Sequence, residues 1–175
     1  RNKTNNVRST CYTYHYSRPA QVYATGLGES SLAEVKIFKQ FYYSRSFTAN
    51  NGGTDQGVRI AVADVTGDGV EDFITGSGPG GDYLIQVRDG QNLSTVVFSF
   101  NAFPTSSGDG GVFVAAGDIN ADGHADIIVG QNDGRWVRVF NGSSSSSTPS
   151  TLRYFSPYEF TASSAGIRVA AGDIN

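Results

Sequence analysis

The sequence predicts an all-β fold made of β-propeller blades, each of four antiparallel strands, and three observations predict it. The stretches VRIAVAD, VFVAAGD and IRVAAGD follow Gly57, Gly111 and Gly166 as copies of one another. Each copy runs into an acidic loop, DVTGDGVED at 64–72 and DINADGHAD at 118–126, and a third loop opens at Asp173; the first acids lie 54 and 55 residues apart. Short apolar or aromatic runs then recur at strand-like spacing, and about 40 to 55 residues per unit with four short strands is the signature of a propeller.

The opening run of each copy alternates apolar residues with a period of two, Val58, Ile60 and Val62, then Val112 and Val114, then Ile167 and Val169, as a strand requires. Small residues within these runs, Ala61, Ala63, Ala115 and Ala170, suit a crowded innermost position. The acidic loop leads to a second strand that ends in glycine, FITG at 73–76 and DIIVG at 126–130. A third strand follows at 83–90 and 136–142, and a fourth, rich in aromatics, at 95–103 and 152–160. The aromatics Phe98, Phe100, Phe103, Tyr154, Phe155 and Phe160 are expected to fill the spaces between blades, with Trp136 also in the core. SSSSS at 143–147 reads as a surface loop between third and fourth strands. The organisation expected is therefore an N-terminal unit over 1–56, blades over 57–110 and 111–165, and the start of another over 166–175.

The loops place oxygen-bearing side chains at positions one, three, five and nine, with glycine at six. Calcium is a hard cation that takes six to eight oxygens at about 2.3–2.6 Å, and alternate side chains plus one backbone carbonyl can supply them. The donors expected in the first loop are Asp64, Thr66, Asp68 and Asp72 by side chain and Val70 by carbonyl. In the second they are Asp118, Asn120, Asp122 and Asp126, with His124 by carbonyl; Asp173 and Asn175 begin an incomplete third. Acids packed this closely repel one another until a cation joins them, so each loop should be loose without metal and ordered with it. Asp/Gly clusters are also ordinary turn material, but two complete copies and a third beginning in register favour the cage. An EF-hand is excluded, because position twelve is Thr75 in one copy and Val129 in the other, and strands rather than helices flank the loops.

These repeats resemble the FG-GAP or VCBS repeats of integrin α-subunit propellers and of many bacterial surface proteins. The residues that carry the resemblance are Asp64, Thr66, Asp68, Gly69 and Asp72, repeated as Asp118, Asn120, Asp122, Gly123 and Asp126, with Gly76 and Gly130 closing the second strands. Thr66 departs from the usual Asp or Asn, and its neutral hydroxyl should weaken that site modestly. The N-terminal unit keeps late-blade features, ATGLG at 24–28 and EVKIFK at 34–39, and its FTANNGG at 47–53 is similar to FTASSAG at 160–166. Where a metal loop should lie it has STCYTYHYSRPA at 9–20, without a single acid, so that unit cannot hold calcium in the same way. The resemblance implies structural calcium on one face and partners on the opposite one. A protein or carbohydrate ligand would then meet the loops Ser77 to Asp82, Gln131 to Arg135 and Thr105 to Gly110. It further implies a calcium-stabilised module for extracellular binding, cell adhesion or assembly.

A ring needs about four to eight blades, and this length supplies about three. The expectation is a segment of a longer polypeptide, favoured by the missing initial methionine and the end inside a loop, or a ring completed by copies of itself. Either way open strand edges invite further blades or partner chains.

With 13 basic and 16 acidic residues the formal net charge is −3, much of the acid sits in the loops, and no basic patch calls for nucleic acid. Apolar runs are too short to span a bilayer. Cys11 is the single cysteine, so no internal disulfide forms. Glycosylation sequons stand at Asn2, Asn92 and Asn141, a number that a chain rich in Asn, Ser and Thr produces by composition alone. Weak calcium loops fill at the millimolar calcium found outside cells, which places the protein there, secreted or at the cell surface. No catalytic constellation is expected. His124 is accounted for by its loop, and His15, among Tyr12, Tyr14 and Tyr16, has no partner that the sequence identifies. The alternative is part of a polysaccharide-active lyase or hydrolase with a propeller scaffold, in which a Tyr/His group serves as acid and base.

Overall fold

A computed structural model of the chain describes residues 22–28, 33–49, 56–104, 110–158 and 166–172. Every regular element among them is a strand, and none is a helix long and apolar enough to cross a membrane. Eleven strands form three antiparallel sheets. Sheet A contains β1 (Val22–Gly26), β2 (Glu34–Lys39) and β3 (Tyr42–Thr48). Sheet B contains β4 (Val58–Ala63), β5 (Asp72–Ser77), β6 (Leu84–Arg88) and β7 (Val96–Asn101). Sheet C contains β8 (Val112–Gly117), β9 (Asp126–Gln131), β10 (Val137–Phe140) and β11 (Thr151–Phe155). Within each sheet every strand pairs with the next in the chain, giving the meander of a propeller blade, and the sheets do not close into a ring among the described residues.

The sheets meet through their first and second strands: β1 lies against β4, β5 against β8, and β4 against β8. Second strands are therefore covered on both faces, which is why FITG and DIIVG read as continuous apolar runs while first strands alternate. All six residues of β5 are buried. Phe73 packs toward sheet A with Val35 and Ile37, while Ile74 packs toward sheet C with Ile127, Val129 and Phe140. The B–C core is the larger and takes in Phe98, Phe100 and Phe103, with Ala61 and Ala63 packed against it. Beyond sheet C, Ile167 and Val169 pack on Ala115, Ile128 and Val137, and Ile167 N–H donates to the Gln131 carbonyl at 2.8 Å. The opening run of the last copy is thus docked, although no strand is assigned over 166–172.

A glycine in each of β1, β5 and β9 marks where the next blade arrives. A Cβ on Gly76 would stand 2.5 Å from Val112 Cγ2 and 2.9 Å from Val114 Cγ1, and at Gly26 and Gly130 it would strike the carbonyl oxygens of Val58 and Ile167. Gly76→Ala is accordingly expected to destabilise the chain by about 1–3 kcal/mol through overpacking. Urea unfolding measures it, and a variant as stable as its parent would mean that β8 does not press on β5. Gly57, Gly111 and Gly166, which open the three copies, all take positive φ (67°, 81° and 71°), a conformation that glycine enters without a Cβ penalty.

Three expectations need correction. Phe155 does not fill a gap between blades, and Tyr154 does so only at its edge: β11 is an outer strand, the two are 45% and 54% exposed, and the Tyr154 ring meets Phe103 of the neighbouring blade at 6.4 Å. Trp136 packs against the B–C core as expected but is only half-buried, and it precedes β10 rather than opening it, stacked on Tyr154 at 4.8 Å. Ala170 is exposed, because no described residue covers the far side of the last copy. Phe160 lies outside the described residues.

Candidate metal loops

Loop 1, residues 64–72, joins β4 to β5, and loop 2, residues 118–126, joins β8 to β9, so the two sit at matching corners of adjacent blades. Each turns through left-handed residues at positions four and six: Gly67 (φ 73°) and Gly69 (83°), then Ala121 (60°) and Gly123 (88°). The bend points loop amides inward, and the first acid collects them. Asp64 Oδ1 accepts from Gly67 N–H at 2.7 Å and Asp68 N–H at 3.1 Å, and Oδ2 accepts from Gly69 N–H at 2.8 Å. Asp118 likewise accepts from Asp122 N–H at 3.1 Å and Gly123 N–H at 2.9 Å.

Position nine is the hub of each loop. Asp72 is fully buried; its Oδ2 accepts from Val65 N–H (3.0 Å) and Thr66 N–H (2.8 Å), and its Oδ1 from Gly90 N–H (2.8 Å). Asp126, also fully buried, accepts from Ile119 N–H at 3.0 Å and Gly142 N–H at 3.1 Å. Each therefore ties its own loop to the turn between third and fourth strands. Burial pushes the Asp72 carboxyl above the ordinary range, against the pull of the amides of Gly90, Thr66 and Val65. Glu71 is raised as well, by burial first and then by the charges of Asp64 and Asp72, the repulsion expected among gathered acids.

The same turns supply residues that the sequence did not reveal. Gln91 Nε2 donates to Asp68 Oδ2 at 2.8 Å, and Ser143 Oγ donates to Asp122 Oδ2 at 2.8 Å. Both follow the glycine whose amide meets position nine, so each blade closes its loop from above with one amide and one side chain. The Ser143 hydroxyl, followed by the His124 amide, holds the Asp122 carboxyl below the usual range. The serine-rich loop is thus anchored at its first residue. Sheet A has no such turn: β2 passes to β3 through Gln40 and Phe41, both with positive φ, in a two-residue hairpin. The blade whose sequence offers no acidic loop thus also lacks the closing donors.

An ionised carboxylate has about four acceptor sites. Asp72 spends three on amides, Asp64 three on amides and one on the Thr66 hydroxyl, Asp68 two, Asp118 and Asp126 two each, and Asp122 two on amides and one on the Ser143 hydroxyl. Every acid but Asp64 keeps a lone pair, Asp64 needing only to release its long bond from Thr66, and hard oxygens at alternate positions fit a hard cation such as calcium. Among the described residues, however, no three His, Cys, Asp or Glu side chains already converge as an ion would require. Thr66 Oγ1 lies 3.5 Å from Asp64 Oδ1, Asn120 Nδ2 donates to Asp122 Oδ2, and Val70 is exposed. Asp173 and Asn175 lie outside the described residues, as do Asn2, Cys11, Tyr12, Tyr14, His15 and Tyr16.

At the opposite end the loops after β5 and β9 come together. Gly111 N–H donates to the Gly81 carbonyl, Asn132 N–H to the Gly111 carbonyl, and Asp133 accepts from both the Tyr83 hydroxyl (2.9 Å) and Gly110 N–H (3.1 Å). A hollow of about 90 Å³ there, lined by Gln56, Arg59 and Pro79 among others, is well below the roughly 300 Å³ of a small-molecule pocket. Residues 105–109 of the third expected ligand loop fall outside the described residues.

Successive antiparallel meanders, two of them with an acidic loop at the same corner, define a repeat protein of the propeller type. Residues 64–129, which hold both acidic loops and the strands between them, match the family model described as FG-GAP-like repeat. No solved structure gives a significant match to the chain.

Proposed function

We propose that the chain is a calcium-stabilised propeller module of an extracellular protein, serving binding, adhesion or assembly. The observation that carries this reading is the repetition of one construction at two corners: hard oxygens at alternate positions, a left-handed bend, and a hub acid fastened to the turn above. Calcium is structural in this reading, clamping the corner between first and second strands, while a protein or carbohydrate ligand meets the loops at the other end. The open faces of sheets A and C take further blades or another copy. Loops of this kind suit the millimolar calcium outside cells.

Thermal unfolding with calcium and with chelator tests the metal. A ligand that binds only the native state stabilises by RT ln(1 + [L]/Kd), so calcium is expected to raise Tm by several degrees. Asp68→Ala together with Asp122→Ala is expected to abolish the rise. The fifth-position acids are the suitable probes because they are exposed and hold no buried amide. An unchanged Tm in the parent would reduce the loops to turns.

A further inference from the structure

The two loops touch each other, and the contact runs between residues next to their ligands. The carbonyl of Asp64, first position of loop 1, accepts from the amide of Ala125, the neighbour of Asp126 in loop 2, at 2.8 Å. The carbonyl of Val65 lies 3.0 Å from His124 Nδ1, which must carry the proton to bond it. The imidazole closes over Gly67, where any Cβ would collide with the ring. The Val65 side chain is fully buried in the B–C core together with Ala125. Ile119, the matching residue of loop 2, is 55% exposed, so Val65 owes its burial to the neighbouring blade rather than to its own loop.

We propose that the two loops bind their ions cooperatively, with His124 as the coupling residue; this rests on the calcium reading above. Ordering a loop around an ion costs backbone entropy. An ion in loop 2 fixes the bend that ends at His124 and Ala125, and these two groups then hold Asp64, Val65 and Gly67 in place. Part of the order that loop 1 needs is present before its own ion arrives, so its affinity rises without any change in its ligands. Linkage requires loop 1 to favour loop 2 by the same factor, and a coupling of roughly five- to tenfold is expected for such a contact. His124 is separable from the ligand set, because its part there is a backbone carbonyl that any residue supplies.

Calorimetric titration of the whole chain with calcium tests the coupling. The parent is expected to take two ions with a Hill coefficient above one. His124→Ala is expected to take two ions independently. Asp122→Ala should leave one site, about five- to tenfold weaker than the same site in the parent. A second readout does not depend on loop 1 binding anything: in Asp68→Ala, calcium in loop 2 is expected to slow amide exchange at Gly67 and Gly69. Two independent ions in the parent, undiminished cooperativity in His124→Ala, or unchanged exchange at those glycines overturns the coupling and leaves the calcium reading standing. A parent that takes up no calcium overturns both.

Discussion

Asp72→Ala is expected to cost about 3 kcal/mol or more of stability, and to do so with chelator present. The carboxylate accepts from three amides, of which those of Val65 and Gly90 are buried. Each buried donor left without a partner costs about 1–3 kcal/mol. Part of this is offset, since the burial that raises the Asp72 carboxyl also burdens its charged form and disappears with it. Asp68→Ala is the control. It sits four residues away in the same loop, is exposed, and its removal frees only the exposed groups of Val70 and Gln91, so in chelator its cost should stay within about 0.5 kcal/mol. Urea unfolding of both variants in chelator makes the comparison. Equal losses would mean that Asp72 does not fasten the loop to the turn at Gly90, and that any role it has is metal binding alone.

The contrast between those two acids shows where sequence reading reaches its limit. Both stand in one motif of alternating oxygens, and nothing local separates a hub from a rim. The separation comes from Gly90, 18 residues further on, whose amide faces Asp72 because β6 returns alongside β5. Gln91 and Ser143 escaped notice for the same reason: a polar residue after a turn glycine has no local mark, and it meets its acid only when the blade is complete. His124 was legible as a loop carbonyl but not as a ring reaching 59 residues back. Signals that depend on neighbours within a few residues were readable. The period-two first strands, the unbroken second strands, EVKIFK as β2 and the glycines that open each copy all express local backbone and burial rules. The strand β3 was harder, since an outer strand with mostly exposed residues carries no apolar alternation, and its hairpin is made by Gln40 and Phe41 rather than by an Asn-Gly pair, the strongest local signal of such a turn. Aromatic content misled at Tyr154 and Phe155 because an outer strand buries less than its composition promises.

Phe140→Ala is expected to destabilise by about 3–5 kcal/mol, the range for deleting a well-packed phenylalanine. Its ring is 2% exposed and meets Phe100 edge to face, with centroids 4.8 Å apart and planes at 64°. Phe100 belongs to β7 of sheet B and Phe140 to β10 of sheet C, so the pair measures the packing of one blade on the next rather than the strength of either sheet. The Arg138 guanidinium, 4.8 Å from the same ring, loses its aromatic support in the variant, adding a smaller term of about 0.5–1 kcal/mol. Phe155→Ala removes the same side chain from an outer strand where it is half exposed, and its cost should stay below about 1 kcal/mol. Radial packing of blades requires this ordering; sheets that stood side by side without a shared core would give two similar, small losses. The larger variant should also weaken calcium uptake at both loops, because Val65 and Ala125 lie in the core that Phe140 fills.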